Sequence, residues 1–331
     1  MSRGYDVKRY LIINFVSKIK YSYTLQLLFG LTLINNRYYQ DSIFGDLNPF
    51  YRDNFLTVSK LTATRLRPGK FFLRVFVFFV YAVMLCPLLF VIWLSFFKDA
   101  ILYFPPSGYT FQWYQNAWEN QAFINGFVFS MQVALVSALV GVCLGVLAAL
   151  GIIRYKFQGN KFVNTLLLSP LLMPGIVTGI AIYLFYLRTE NFLDRDIVGT
   201  IGGLVLAHIC LTIPWTVRLV SASMQGLDPS IEEAARNLGA NGRVAFLRIT
   251  LPMLRPAIVA AALFSFIVSF ENLEVSLSLV GPGNTTLPIA IMQYLEFNLD
   301  PTIAAVSTVQ ILLLGVIMLV TDRFVKLSQL V

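Results

Sequence analysis

Two carboxylates, Glu271 and Glu274, lie within an apolar stretch of this 331-residue chain. On a continuous helix their spacing puts both on one face. Ionised carboxylates in apolar surroundings are costly unless they are paired, wetted or offered a cation. Such a pair could hold a positively charged solute, with Phe270 and Tyr294 as aromatic neighbours adding cation–π attraction. It could equally close an ion pair with a basic residue on another helix. His208, the only histidine, falls in a different apolar stretch and is expected to be a hydrogen-bonded packing residue rather than a proton relay. Little else could do chemistry. There is no Gly-x-x-x-x-Gly-Lys-Ser/Thr loop, so no P-loop nucleotide site is expected in this chain. One histidine cannot build a two-histidine metalloprotease helix, and nothing resembles a nucleophile elbow. Cys86, Cys143 and Cys210 are odd in number and far apart, so neither a disulfide framework nor a zinc site is indicated.

A second constellation is polar and local. The stretch Asp228-Pro229-Ser230-Ile231-Glu232-Glu233-Ala234-Ala235-Arg236-Asn237-Leu238-Gly239, followed by Ile249-Thr250-Leu251-Pro252, predicts a short helix, a break, a second helix and a second break. Asp228 or Ser230 can cap free amides, Pro229 suits a first turn, and Glu232 and Glu233 complement the positive end of the helix dipole. Gly239 permits the left-handed residue that closes a helix, and Pro252 is expected to stop the next one. A short stiff helix held between glycine and proline turns can dock on a soluble partner as one body and pass force to the segments beside it.

The elements that must position these groups are dictated by composition. Hydrophobic types make up 57% of the chain and charged types 13%, and the mean hydropathy is +0.72. That excludes disorder, nucleic-acid tails and an ordinary cytosolic enzyme; the bilayer is the expected solvent. Six continuous apolar stretches are long enough to cross it as helices: Arg74–Phe97, Phe127–Ile153, Phe162–Leu187, Ile197–Ser223, Pro256–Val280 and Pro301–Val325. Their continuity argues against the alternating segments of a β-barrel. Pro174-Gly175 and Pro214 are expected to interrupt the third and fourth spans, and Gly141-x-x-x-Gly145 and Gly175-x-x-x-Gly179 to let helices approach closely.

The net charge of +8 is carried by the segment up to Arg74, which holds twelve basic and four acidic residues; the remainder is balanced. Among the short loops, Arg154, Lys156, Lys161, Arg236, Arg243, Arg248, Arg255, Arg323 and Lys326 fall on one side. Only Lys98, Arg188 and Arg195 fall on the other. The excess of positive charge on the inner side then puts both termini and the Gln225–Arg255 loop in the cytoplasm. Residues 1–70 form a basic extension of unassigned role, and residues 71–331 the membrane domain.

Glu233-Ala234-Ala235, Gly239, Ile249, Leu251 and Pro252 match, at all seven positions, the EAA signature of binding-protein-dependent ABC importer permeases. The chain resembles that family from about Arg74 to Val325. In Phe104-Pro105-Pro106-Ser107-Gly108, Leu172-Met173-Pro174-Gly175-Ile176-Val177, Ser269-Phe270-Glu271-Asn272-Leu273-Glu274 and Gly281-Pro282-Gly283-Asn284-Thr285-Thr286-Leu287-Pro288 it is similar to the spermidine/putrescine type. Residues 1 to about 70 match nothing in that pattern.

The resemblance implies an all-α polytopic protein of about six transmembrane helices with the type I ABC importer permease fold. It would sit in the bacterial inner membrane and move a polyamine by alternating access. In that family this loop forms the coupling helix that seats in an ATP-hydrolysing subunit, so Glu233, Ala234, Ala235 and Gly239 would form the docking element of a coupling loop that runs on through Ile249, Leu251 and Pro252; Glu271, Glu274, Phe270 and Tyr294 are, on their chemistry alone, the candidates to face the solute. No cofactor is expected in this chain, ATP and magnesium being bound by two partner subunits. A second, homologous permease and a periplasmic solute-binding protein complete the implied assembly. Two alternatives stay open. Importers of iron, sulfate or molybdate share the loop signature, and an ion-driven secondary transporter would also be all-helical.

Overall fold

The computed structural model describes residues 67–325 apart from 102, 103 and 156, so the extension up to residue 66 lies outside the described residues. The chain divides into two units, Met1–Cys86 and Pro87–Val331. Helix α1 (Arg67–Leu94) contains the boundary, with Pro87 inside it; its side chains from Phe72 to Phe90 are exposed.

The second unit continues with α2 (Gln112–Glu119), α3 (Gln121–Arg154), α4 (Asn160–Leu168) with a 3-10 turn at Ser169–Leu172, α5 (Gly175–Leu193), α6 (Ile201–Gln225) and α7 (Pro229–Asn237). A single turn, α8 (Gly242–Ala245), leads through a π turn at Phe246–Thr250 into α9 (Leu251–Phe270). Then come α10 (Glu274–Leu279), α11 (Leu287–Phe297) and α12 (Thr302–Val325). Among the described residues, five helical spans are long and apolar enough to cross a membrane, or six if α4 and α5, bent 113° to one another, count as one.

The centre of this unit is α6, against which α3 and α9 pack. Close approach is made possible by absent side chains. A Cβ on Gly141 would stand 1.9 Å from the Thr212 hydroxyl, and one on Gly145 would stand 2.5 Å from the Thr216 Cβ. Removing those two side chains brings α3 onto the threonine face of α6, the small-residue contact that replaces hydrophobic driving force between helices in lipid. The polar groups this buries bond to one another. The Thr212 hydroxyl lies 3.0 Å from the Ile209 carbonyl and 3.2 Å from that of Ser137, between which it shares its hydrogen; Ser137 donates to the Val205 carbonyl at 3.2 Å, and Thr216 pairs with the Ser265 hydroxyl at 3.3 Å.

The third expected span is interrupted where Pro174-Gly175 indicated, whereas the fourth and fifth differ from the expectation. Met173 and Pro174 are extended, with ψ of 142° and 135°, because proline pushes the residue before it out of the helical region and supplies no amide of its own. The fifth, expected as Pro256–Val280, ends at Phe270 and restarts at Glu274. The fourth is not interrupted, since α6 runs through a buried Pro214. Pro252 likewise fails to stop a helix. It follows the π turn, where the ladder changes register, and there a missing amide costs little.

Gly141→Val should force α3 and α6 apart and destabilise the folded protein by about 1–3 kcal/mol. Gly315→Ala, where nothing lies within 4 Å, should be neutral or slightly stabilising. Thermal unfolding in detergent of the two variants checks the contrast; equal loss in both would rule out the close approach as the cause.

Candidate functional site

The signature loop folds as its residue types dictate. The Asp228 side chain accepts the Ser230 amide at 2.9 Å and caps α7, and the bonds from Ser230 hold the Asp228 carboxyl below its ordinary value. At the other end Gly239 has a φ of +94°. Its amide donates to the Arg236 carbonyl at 2.9 Å, and the Ala240 amide to that of Ala235 at 3.0 Å. This paired closure needs a left-handed residue. Glu233, Ala234 and Gly239 are exposed, Ala235 is half-buried, and Leu238 stands 90% exposed at the tip. Of the downstream signature residues, Ile249 and Leu251 are half-buried and Pro252 is exposed.

What fastens α7 to the spans is Glu232. Its carboxylate receives Arg154 from the last turn of α3, Arg236 from one turn along α7 at 2.9 Å, and the Thr250 hydroxyl from the π turn leading into α9 at 2.8 Å. Arg154 also donates to Thr250 at 3.2 Å and lies 5.1 Å from the centre of the Phe246 ring. Partial burial alone would raise the Glu232 carboxyl, but the Thr250 bond, the Arg154 charge and the bond and charge of Arg236 together hold it below its ordinary 4.5. The sequence showed Glu232 only as a complement to the helix dipole. Its main partner is 78 positions away, and the one hint was an arginine ending an apolar span with no local acid.

The second group of residues lies where the two broken spans meet. Asn272 rather than a continuing helix occupies the middle of the fifth span. Its side chain accepts the Val275 and Ser276 amides at 3.0 and 3.4 Å and starts α10, as asparagine does at helix starts. The break puts Glu271 past the end of α9 and Glu274 at the start of α10, so the two do not share a face of one continuous helix as their spacing suggested. Both are exposed. The Glu274 carboxylate lies over Gly175, where a Cβ would come within 1.5 Å of it, and a Cβ on Gly179 would come 3.1 Å from the Val275 Cα. The second glycine pair thus seats α5 on α10 beside the 113° bend.

Phe270 and Tyr294 stand elsewhere. Phe270 is fully buried, its ring 5.6 Å from Phe266 and 5.8 Å from Phe127. Tyr294 packs 5.0 Å from Phe123 and donates its hydroxyl to Asp300 at 2.8 Å. Neither ring is brought to the acids by a described contact.

Residues 141–329 match the binding-protein-dependent transport system inner membrane component, which is more than half the chain. The chain belongs to that family. It is a membrane permease component, and its fold is that of ABC importer permeases: it superposes with a TM-score of 0.58 on a subunit of a bacterial ABC transporter involved in the import of the acidic polysaccharide alginate. The identity is 13%, over 78% of this chain and 97% of that one. It is also 29% identical to the putrescine transport system permease protein PotI of Escherichia coli strain K12, over 64% of this chain and 75% of that protein. Against the spermidine/putrescine transport system permease protein PotC of Haemophilus influenzae it is 29% identical over 74% of this chain and 93% of that protein.

Glu232→Gln should loosen α7 by about 1–2 kcal/mol, the scale of hydrogen bonds to a charged group discounted for partial exposure. Because the folded carboxyl titrates below 4.5, the contribution of Glu232 is complete above that value and is lost as pH falls through the lowered one. Corrected for intrinsic exchange, the protection of the 230–239 amides should therefore fall more steeply below pH 4.5 in the wild type than in Glu232→Gln, where only the Asp228 cap is left to titrate. Identical pH profiles would remove the carboxylate from the anchor.

Proposed function

We propose that this chain is one permease subunit of an ATP-driven importer that moves a polyamine, putrescine or spermidine, across the inner membrane by alternating access. The observation that carries the solute reading is the pair of exposed carboxylates, Glu271 and Glu274, at the break in the fifth span. An acid at membrane depth is tolerated where it lines a wet cavity or meets a cation. Broken helices are tolerated under the same condition. A solute with two or more ammonium groups satisfies both acids, whereas sulfate or molybdate would be repelled. The similarity to PotI and PotC supports the same solute class.

In this reading α7 is the coupling helix. Glu233, Ala234, Ala235 and Gly239 form the surface that a nucleotide-binding subunit grips, the small alanines admitting close approach and the glutamate meeting partner cations; Ile249, Leu251 and Pro252 follow it into α9. ATP and magnesium bind to two such partners and hydrolysis is theirs. Force applied to α7 reaches α3 and α9 through Glu232. Because α7 must meet those partners, it lies in the cytoplasm and both termini do too. A homologous permease supplies the other half of the pathway, and a periplasmic binding protein delivers the solute.

Two substitutions separate the halves of this proposal in vesicles reconstituted with the whole complex. Glu233→Lys should leave assembly intact while ATP hydrolysis continues without uptake; wild-type uptake would refute docking at α7. Glu271→Gln with Glu274→Gln should raise the KM for putrescine roughly tenfold, with stimulated ATP hydrolysis retained. Unchanged kinetics would take the two acids out of the pathway, and uptake of sulfate instead of putrescine would overturn the solute class.

A further inference from the structure

His208 is fully buried in α6, and neither the coupling surface nor the acids use it. Its ring nitrogens point to opposite sides of the break in the fifth span. Nδ1 is 2.7 Å from the Ser269 hydroxyl, in the last turn of α9, and Nε2 is 3.1 Å from the Ser276 hydroxyl, in the first turn of α10. The Ser276 hydroxyl already donates its hydrogen to the Asn272 carbonyl at 2.7 Å. A serine has one hydrogen to give, so towards the ring Ser276 can only accept. Nε2 therefore carries the hydrogen. Its partners are the two hydroxyls and the main chain of Ser269, and no carboxylate is among them. A charged ring here would be a buried cation without a counter-ion, so the imidazole is neutral. Nδ1 is then the acceptor and takes the hydrogen of Ser269. Each nitrogen has its one role filled, and the two bonds together bridge residues 269 and 276 across Glu271, Asn272 and Leu273.

We propose that His208, as its neutral Nε2–H tautomer, is a positioning residue: it holds the two sides of this break at a fixed separation and thereby sets where Glu271 and Glu274 stand. It acts through Ser269 and Ser276 and does not touch the solute. Its bearing on uptake rests on the pathway proposed above; the clamp itself does not. A histidine that merely filled space could be exchanged for leucine without consequence for solute affinity. Glutamine differs from leucine in the useful respect, because its amide nitrogen can take the place of Nε2 and keep the bond to Ser276.

The test compares wild type, His208→Leu and His208→Gln in the assembled complex in lipid nanodiscs. Hydrogen exchange of the 271–276 amides should be roughly tenfold faster in His208→Leu and nearer wild type in His208→Gln. The KM for putrescine should rise roughly fivefold or more in His208→Leu at little change in kcat, with glutamine restoring much of it. In nitrogen-labelled complex, the histidine signals lost on His208→Gln should be one protonated and one bare ring nitrogen, the bare one Nδ1. Unchanged exchange in His208→Leu overturns the clamp. Faster exchange with an unaltered KM overturns the positioning role. A bare Nε2, or two protonated nitrogens, overturns the bond directions. Should His208→Leu fail to assemble, Ser276→Ala, which deletes one oxygen, takes its place with the same expectations for exchange and KM. If Glu271→Gln with Glu274→Gln leaves kinetics unchanged while exchange still responds to His208, the pathway fails and the clamp stands.

Discussion

Inside a hydrocarbon layer every backbone amide, carbonyl and charged side chain has to find its partner within the protein, because no water is there to supply one. Long apolar helices meet that condition residue by residue. Interruptions do not meet it automatically, and among the described residues two helix breaks lie side by side, at Met173–Pro174 and at Glu271–Leu273. Each is closed locally. Proline removes one of the amides that the first break would orphan, and at the second the Asn272 side chain takes the Val275 and Ser276 amides. The glycine pair on α5 then lets α10 sit against the bend. What is left exposed at this junction is carboxylate, that of Glu271 and of Glu274.

The same logic operates in reverse at the other end of the spans. There the loop is polar, and the difficulty is how to keep a nine-residue helix rigid when it buries no side chain fully. Local capping by Asp228 and Gly239 sets its length but cannot set its angle to the spans. Glu232 does that, because its partners come from α3, from α7 itself and from the π turn that opens α9. A displacement of α7 must therefore either break a charge-assisted bond or carry α3 and α9 along. The second is the cheaper course for as long as the carboxylate stays ionised.

Much of this was legible beforehand, and what was not divides by range. The caps of α7 depend on residues within a turn of one another, so Asp228, Pro229 and Gly239 announced them. The all-helical membrane architecture followed from hydropathy, and glycine spacing pointed to close helix contacts. The break at Glu271–Leu273 was hidden because a hydropathy window averages over it, although Asn272 followed by Glu274 is itself a helix-start signal. Phe270 was expected beside the acids and is instead fully buried. In a span that is apolar all round, the pattern does not say which face turns inward. Glu232 with Arg154, and His208 with Ser269 and Ser276, are pairs far apart in the chain; no local pattern encodes them.

The two halves of the molecule are joined by α9. At one end it is reached through the π turn that holds Thr250 against Glu232, and at the other it stops at Phe270, directly before Glu271. Beyond Pro256, which interrupts its ladder near the Thr250 end, α9 runs as one helix to Phe270. The break beyond it separates the two acids. Were the helix continuous to Val280, α10 would move with it and the acids would keep their spacing. With α10 packed instead on α5 at the glycine pair and bridged to α9 through His208, Glu271 and Glu274 stand on two elements whose separation is set by packing from outside the span. In the proposed pathway the spacing of the two acids is therefore set by how α5, α6 and α9 pack around the break, rather than by the pitch of one helix.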